Sequence, residues 1–147
     1  HADTELSNEN ITELNKFIEN PKNKKKVGYF HFFFREKKIG VKVISEWANF
    51  RTKFFKLPFG DQGLLISRDF YFKLGGHSNL IVMEDLEFIL KVPRKDRVFL
   101  KTGVQTSFRR FEKNGFILQG IIHIICQMMF LLNFNKQLIT KIYKYYG

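Results

Sequence analysis

The chain has 147 residues, about the length of one domain, and 44% of them are hydrophobic, including 18 Phe. Its formal net charge of +11 predicts an anionic partner such as a nucleic acid, an anionic lipid or a phosphorylated small molecule. The single cysteine, Cys126, excludes an internal disulfide bond and is compatible with a reducing compartment. The chain begins HADTELS, without an initiator Met or the pattern of a signal peptide, so we expect it to be a fragment or a processed product.

The first 60 residues predict a helix, two strands and a second helix. Helical spacing of apolar residues predicts a helix over 7–20, capped at Ser7 or Asn8 and ended by Pro21. The apolar face of this helix contains Ile11, Leu14 and Ile18, with Phe17 beside them. Aromatic and β-branched residues predict a buried strand over 27–34 and a second strand over 39–44. A helix over 45–56 follows, with Trp47, Phe50 and Phe54 at helical spacing.

The remaining sequence alternates strands and helices. The glycines and proline of 57–63 predict a loop, followed by a short strand over 64–67. A short helix over 68–74 is ended by Gly75 and Gly76. The elements after it are a short helix with Leu86, Ile89 and Leu90, one or two strands around Gly103, and helices from Glu112 that break near 133–135. This alternation predicts an α/β fold.

The stretch LIVMEDLEF, residues 80–88, places Glu84, Asp85 and Glu87 among apolar residues. One interpretation is structural, because acids in the first turn of a helix complement the helix dipole. The other is chemical. A carboxylate at a helix start, beside an apolar wall, can act as a general base.

Three further motifs carry candidate binding residues. The GDQG motif at 60–63 offers Asp61 and Gln62 between two glycines, either as an ordinary turn or as a loop that approaches a ligand. In HADT, residues 1–4, a histidine and an aspartate could both bind a metal. In TSFRRF, residues 106–111, two arginines flanked by Phe suit phosphate or pyrophosphate.

Residues 116–134 contain no Asp, Glu, Lys or Arg and approach the length of about 20 residues that a membrane-spanning helix needs. However, Gln119, His123 and Gln127 recur every four residues and form one polar stripe. The stripe favours an amphipathic helix that packs on protein or lies in a membrane interface over one that spans the membrane.

In chain order, HADT (1–4), PFGDQG (58–63), MEDLE (83–87) and TSFRRF (106–111) resemble a bacterial subgroup of the family 2 glycosyltransferases. The resemblance covers nearly the whole chain. It implies the GT-A fold, with 1–111 as the acceptor-side half of the catalytic domain and 112–147 as a C-terminal helical, membrane-interfacial segment. The nucleotide-binding half of the family precedes the HADT position, so we expect this chain alone to bind sugar nucleotide poorly and to be inactive.

The resemblance also implies a role for each motif. Asp3 corresponds to the last acid of the motif that holds Mg²⁺ or Mn²⁺ against the donor pyrophosphate, and His1 replaces the first acid. Asp85 matches the catalytic base of an inverting transfer, and Glu84 would shape the acceptor pocket.

The other two motifs would contact the substrates. Gly60, Asp61 and Gln62 would line the sugar or acceptor site, and Arg109 and Arg110 would contact the diphosphate. The pattern QxxRW of processive members is not met, which disfavours polymer synthesis.

The implied partners are a nucleotide-sugar donor and a lipid-linked, sugar or small-molecule acceptor. The implied location is the cytoplasm, at the inner face of the plasma membrane, with peripheral membrane contact. The competing hypotheses are a basic module that binds nucleic acid or a membrane surface, and a membrane-anchored interaction protein. The scattered positive charge disfavours nucleic acid as the partner.

Overall fold

The computed structural model describes residues 5–34, 39–106 and 116–146. This part of the chain contains six α-helices and one three-stranded sheet, which confirms the α/β class. The helices are α1 (Asn8–Glu19), α2 (Ile39–Phe55), α3 (Arg68–Lys73), α4 (Glu84–Lys91), α5 (Phe116–Leu131) and α6 (Lys136–Tyr146). The strands are β1 (Val27–Phe34), β2 (Leu65–Ile66) and β3 (Arg97–Thr106).

The sheet has the order β2–β1–β3. The central strand β1 is antiparallel to β2 and parallel to β3, with Val27 paired to both Ile66 and Arg97. As its aromatic and β-branched composition predicted, β1 is largely buried. The predicted strand around Gly103 forms as the single strand β3.

Strand β2 pairs with only the first two residues of β1, and side-chain amides form hydrogen bonds with the backbone of β1 after them. The Asn49 amide of α2 accepts a hydrogen bond from the Phe32 backbone N–H (2.9 Å) and donates one to the Phe32 carbonyl (2.6 Å). The Gln62 amide donates to the Phe30 carbonyl (3.4 Å). These bonds pair backbone groups that an edge strand would otherwise leave open.

The prediction of a strand over 39–44 is wrong, because these residues form the first turns of α2. Apolar β-branched runs occur in both strands and buried helices, so the local pattern is ambiguous there. The helical periodicity from 45 onward resolves it, since a helix extends from an existing nucleus at low cost.

The bounds of α1 are confirmed, but its buried face differs from the predicted one. Ser7 caps the helix by accepting from the Asn10 N–H (3.2 Å). Ile11 and Ile18 are exposed, whereas Phe17 and Asn10 are buried. The Asn10 amide donates to Thr102 Oγ1 and to the Gly103 carbonyl, at 2.9 and 3.0 Å, and thereby joins α1 to β3.

The main core lies between the sheet, α4 and the two C-terminal helices. Its buried side chains are Val27, Met83, Leu86, Ile89, Val92, Ile122, Cys126 and Ile139. In α4 the predicted helix is confirmed, with one correction. Leu90 is exposed, and Phe88 is buried instead.

The helix–break–helix pattern of the C-terminal region is confirmed, although residues 112–115 lie outside the described part. Asn133 has a positive φ of 58°, and the Asn135 side chain caps α6 by accepting from the Gln137 N–H (2.8 Å). The polar stripe of α5 faces the protein. Gln119 is buried, and the His123 ring stacks on Tyr143 with ring centroids 5.0 Å apart. Among the described residues, no helix is both long and apolar enough to cross a membrane.

Candidate functional site

The GDQG motif forms a 3₁₀ turn, Gly60–Gln62, directly after Phe59. The Gln62 N–H donates to the Phe59 carbonyl (3.0 Å), and the Gly63 N–H donates to the Gly60 carbonyl (3.2 Å). Gly63 has φ of 64°, and a Cβ there would lie 3.3 Å from the Phe30 ring. The second glycine is therefore required by both backbone conformation and close packing.

Gln62 holds this turn against the rest of the fold. Its side chain is buried, and its Oε1 accepts from Thr52 Oγ1 (2.9 Å) and from the Phe59 N–H (3.1 Å). Together with the bond to Phe30, these contacts attach the turn to α2 and β1. The amide is thus engaged within the protein, where it holds the GDQG turn in place.

Asp85 connects the GDQG turn to α4. Its Oδ2 accepts a hydrogen bond from the Gly60 N–H (2.9 Å), and its Oδ1 lies 2.7 Å from the Leu86 N. Two of the sequence motifs, 25 residues apart in the chain, therefore meet through the candidate catalytic carboxylate. Glu84 precedes it in the first turn of α4 and is half-buried.

The residue before these acids has an unusual backbone conformation. Met83 has φ of 63° and ψ of 20°, in the left-handed region that non-glycine residues seldom adopt. Its side chain is buried in the main core, which holds the chain in this conformation. Such strain is frequent where a fold must present a particular side chain. The apolar wall that the sequence predicted beside the acids of α4 is only partial, because the Ile81 side chain is 66% exposed.

Arg51 was not identified from the sequence, although it lies beside the GDQG loop. Its guanidinium carbon is 3.8 Å from the centroid of the Phe59 ring, and its Nη1 donates to Gln127 Oε1 (3.0 Å). This cation–π contact places the positive charge of Arg51 against Phe59, which directly precedes Gly60 in the loop. One arginine among 25 basic residues has no distinguishing sequence signal, so only the packing of α2 reveals it.

The remaining predicted site residues lie outside the described part of the chain. These are His1, Asp3, Arg109 and Arg110. Asp61 differs from them, because its backbone is described but its side chain is not. However, the Glu5 N–H donates to the Gln105 carbonyl (3.0 Å). In the sequence, Glu5 directly follows HADT and Gln105 directly precedes TSFRRF. Within 5–34, 39–106 and 116–146, no cluster of three His, Cys, Asp or Glu residues is arranged to hold a metal.

A cavity of about 360 Å³ lies at the other end of α4. It is lined by Glu87, Leu90, Lys91, Phe130, Asn133, Phe134 and Lys136. None of these residues was predicted to form the sugar-transfer site. Neither Asp85 nor Gly60 is among the residues that line the cavity.

Glu87, which lines this cavity, forms an ion pair with Lys91. Its Oε2 lies 3.3 Å from the Lys91 ammonium, which also donates to the Gly76 carbonyl (3.0 Å). Burial alone would raise the pKa of Glu87. The nearby Ser78 hydroxyl and the positive charges of Lys91 and Lys136 outweigh it and lower the pKa of Glu87 below its usual 4.5.

We expect the ion pair between Glu87 and Lys91 to make the stability of the protein depend on acidic pH. Because the pKa is lowered on folding, the stabilisation is present above the unfolded pKa of 4.5 and is lost as pH falls through the folded value. Urea titrations at a series of acidic pH values should therefore show a smaller loss of unfolding free energy for Glu87→Gln than for the parent chain. The exposed Glu46→Gln serves as a control and should keep the parental slope. Equal slopes for the parent and Glu87→Gln would contradict the assignment.

Comparisons of the chain with protein-family models, curated proteins and solved structures found no match.

Proposed function

We propose that the chain belongs to a glycosyltransferase that moves a sugar from a nucleotide-sugar donor to an acceptor hydroxyl with inversion. The fold we propose for it is GT-A, of which the observed α/β arrangement would be the acceptor side. The observation that carries the proposal is the hydrogen bond between Asp85 and Gly60. It joins two motifs whose roles in the resembled family are adjacent, the catalytic base and the sugar-binding loop.

A second observation supports the same arrangement. The backbone bond between Glu5 and Gln105 brings together the ends of the segments that carry the metal motif and the arginine motif. In the proposed enzyme both motifs act on the donor diphosphate, so they must lie near each other. Mg²⁺ or Mn²⁺, bound by Asp3 and His1, would neutralise charge on the leaving diphosphate.

The proposed reaction is a single displacement at the anomeric carbon. The acceptor oxygen attacks this carbon as the Asp85 carboxylate takes the hydroxyl proton, and the bond to the diphosphate oxygen breaks. Arg109 and Arg110 would stabilise the negative charge on that oxygen. The Gly60 N–H holds the Asp85 carboxylate in place, and Gln62 holds the loop.

The proposed setting is the cytoplasmic face of the plasma membrane, with a lipid-linked, sugar or small-molecule acceptor. Two features support it. The chain is strongly basic, with a net charge of +11, and the apolar side of α5 is exposed. Basic surfaces are attracted to the anionic cytoplasmic leaflet.

The test is a transfer assay on the full-length translation product of the gene. Nucleoside diphosphate release from a panel of sugar nucleotides is measured with Mn²⁺ or Mg²⁺, in the presence of membrane lipids and simple glycosides as acceptors. We expect acceptor-dependent release that EDTA abolishes and added Mn²⁺ or Mg²⁺ restores. A salt-sensitive shift of DNA or RNA, with no donor turned over, would instead favour the nucleic-acid-binding module.

A further inference from the structure

Helix α5 differs from an ordinary surface helix, because it is apolar on its exposed side as well as at Ile122 and Cys126 in the core. Its polar stripe faces the protein, and its apolar side is exposed. The exposed side chains, called the outer face of α5, are Leu118, Ile121, Ile124, Ile125, Met128 and Leu131, continued by Leu132 after the helix. Their spacing of three, four and seven residues places them on one side of the helix.

Helix α2 carries a second exposed apolar surface. Trp47, Phe50 and Phe54, called the aromatic ridge, are spaced by three and four residues and are each about half exposed or more. Their ring centroids are 6.0 Å apart from Trp47 to Phe50 and 5.7 Å apart from Phe50 to Phe54. The ridge is therefore a continuous row of rings in the described structure.

The contact between Arg51 and Gln127 brings the two surfaces together. Arg51 lies four residues after Trp47 and three before Phe54, so it is on the side of α2 that carries the aromatic ridge. In α5, Gln127 is likewise flanked at helical spacing by members of the outer face. Since Arg51 Nη1 donates to Gln127 Oε1 at 3.0 Å, the ridge and the outer face adjoin along this contact.

We infer that the aromatic ridge and the outer face of α5 form one surface that lies in the interface of an anionic membrane. The charge of the C-terminal region favours an anionic membrane as the partner of this surface. Residues 116–147 contain no acidic side chain, and α6 carries exposed Lys136, Lys141 and Lys144. Lysine is depleted in protein–protein interfaces but is favoured on helices at anionic bilayers. Trp47 and the other rings suit the level of the lipid headgroups.

This inference specifies the surface for the membrane contact proposed above, but it does not depend on sugar transfer. Binding is measured directly by flotation of the chain with vesicles of phosphatidylcholine, either alone or mixed with phosphatidylglycerol. We expect flotation with the mixed vesicles, weakened by added salt, and little with phosphatidylcholine alone. A catalytically dead protein should float equally well, so failure of the transfer assay leaves this result interpretable.

Two pairs of matched variants test the surface. Phe54→Glu in the ridge is compared with Phe72→Glu in α3, because the two side chains are 62% and 63% exposed. Ile121→Glu on the outer face is compared with Ile11→Glu in α1, at 49% and 46% exposure. We expect each surface variant to weaken vesicle binding about tenfold and each control to leave it unchanged, with equal thermal unfolding throughout.

Two results would overturn the inference. One is that all four variants bind the vesicles as tightly as the parent chain does. The other is an absence of vesicle binding combined with sedimentation that shows self-association, lost in Phe54→Glu and Ile121→Glu. The second outcome would assign the surface to another copy of this chain.

Discussion

Replacing Asp85 by Asn should reduce sugar transfer by about 10²–10⁴-fold, the usual contribution of a general base. Asparagine has nearly the same shape, and its amide oxygen can still accept the hydrogen bond from the Gly60 N–H, while the Leu86 N–H loses its side-chain acceptor. The loop should therefore stay in place while the proposed base is lost. The measurement is kcat from nucleoside diphosphate release by the full-length protein.

Two controls separate this loss from a structural defect. Asp69→Asn changes an exposed acid in the first turn of α3 and should retain full activity. Nucleotide binding in the presence of Mn²⁺, measured by calorimetry, should be the same for Asp85→Asn and the parent. Full transfer by Asp85→Asn would exclude this residue as the base and would favour the structural interpretation of the acids in α4.

Replacing Arg97 by Met should lower the free energy of unfolding by about 2–4 kcal/mol, because two carbonyls would lose their charged donors. Arg97 is buried, and its Nε and Nη2 donate to the Val92 carbonyl at 2.9 and 2.7 Å. Its Nη1 donates to the Lys56 carbonyl at 2.9 Å. These carbonyls follow the C-terminal ends of α4 and α2, where a positive charge is favourable.

The environment of Arg97 explains the size of this effect. Burial lowers the pKa of its guanidinium, although the nearby Tyr29 opposes that change. Arginine stays charged at neutral pH even so, and its planar group can reach both carbonyls at once. Methionine fills a similar volume but offers no donor.

Urea unfolding followed by circular dichroism measures this effect. Arg94→Met is the matched control, because Arg94 is exposed and donates to the Phe54 carbonyl at the end of α2. We expect the control to lose less than about 1 kcal/mol, since its carbonyl remains accessible to water. Equal urea midpoints for the two variants would show that Arg97 does not connect the two helices as the structure indicates.

Local signals in the sequence determined most element boundaries. Ser7 and Pro21 delimit α1, and Gly75 and Gly76, both at positive φ, follow α3. The asparagines around 133–135 separate α5 from α6. Each of these signals depends on backbone conformation or on a hydrogen bond within a few residues, so it can be read without knowledge of the fold.

The sequence motifs predict Asp85 and Gly60 as members of one proposed site. Their direct contact could not be predicted, because the two residues are 25 positions apart and the chain between them must fold before they meet. For the same reason, the sequence did not reveal that the Gln62 side chain is buried and hydrogen-bonded within the protein. Its partners come from β1, α2 and its own loop.

The sequence by itself determined the α/β class, the positions of the caps and turns, and the presence of an amphipathic C-terminal helix. Only the tertiary structure decided that residues 39–44 are helical and that the polar stripe of α5 faces inward. Periodicity shows that a helix has two faces, but not which face the rest of the protein covers. Here Arg51 and Tyr143 contact the polar stripe of α5, and the apolar face is left exposed.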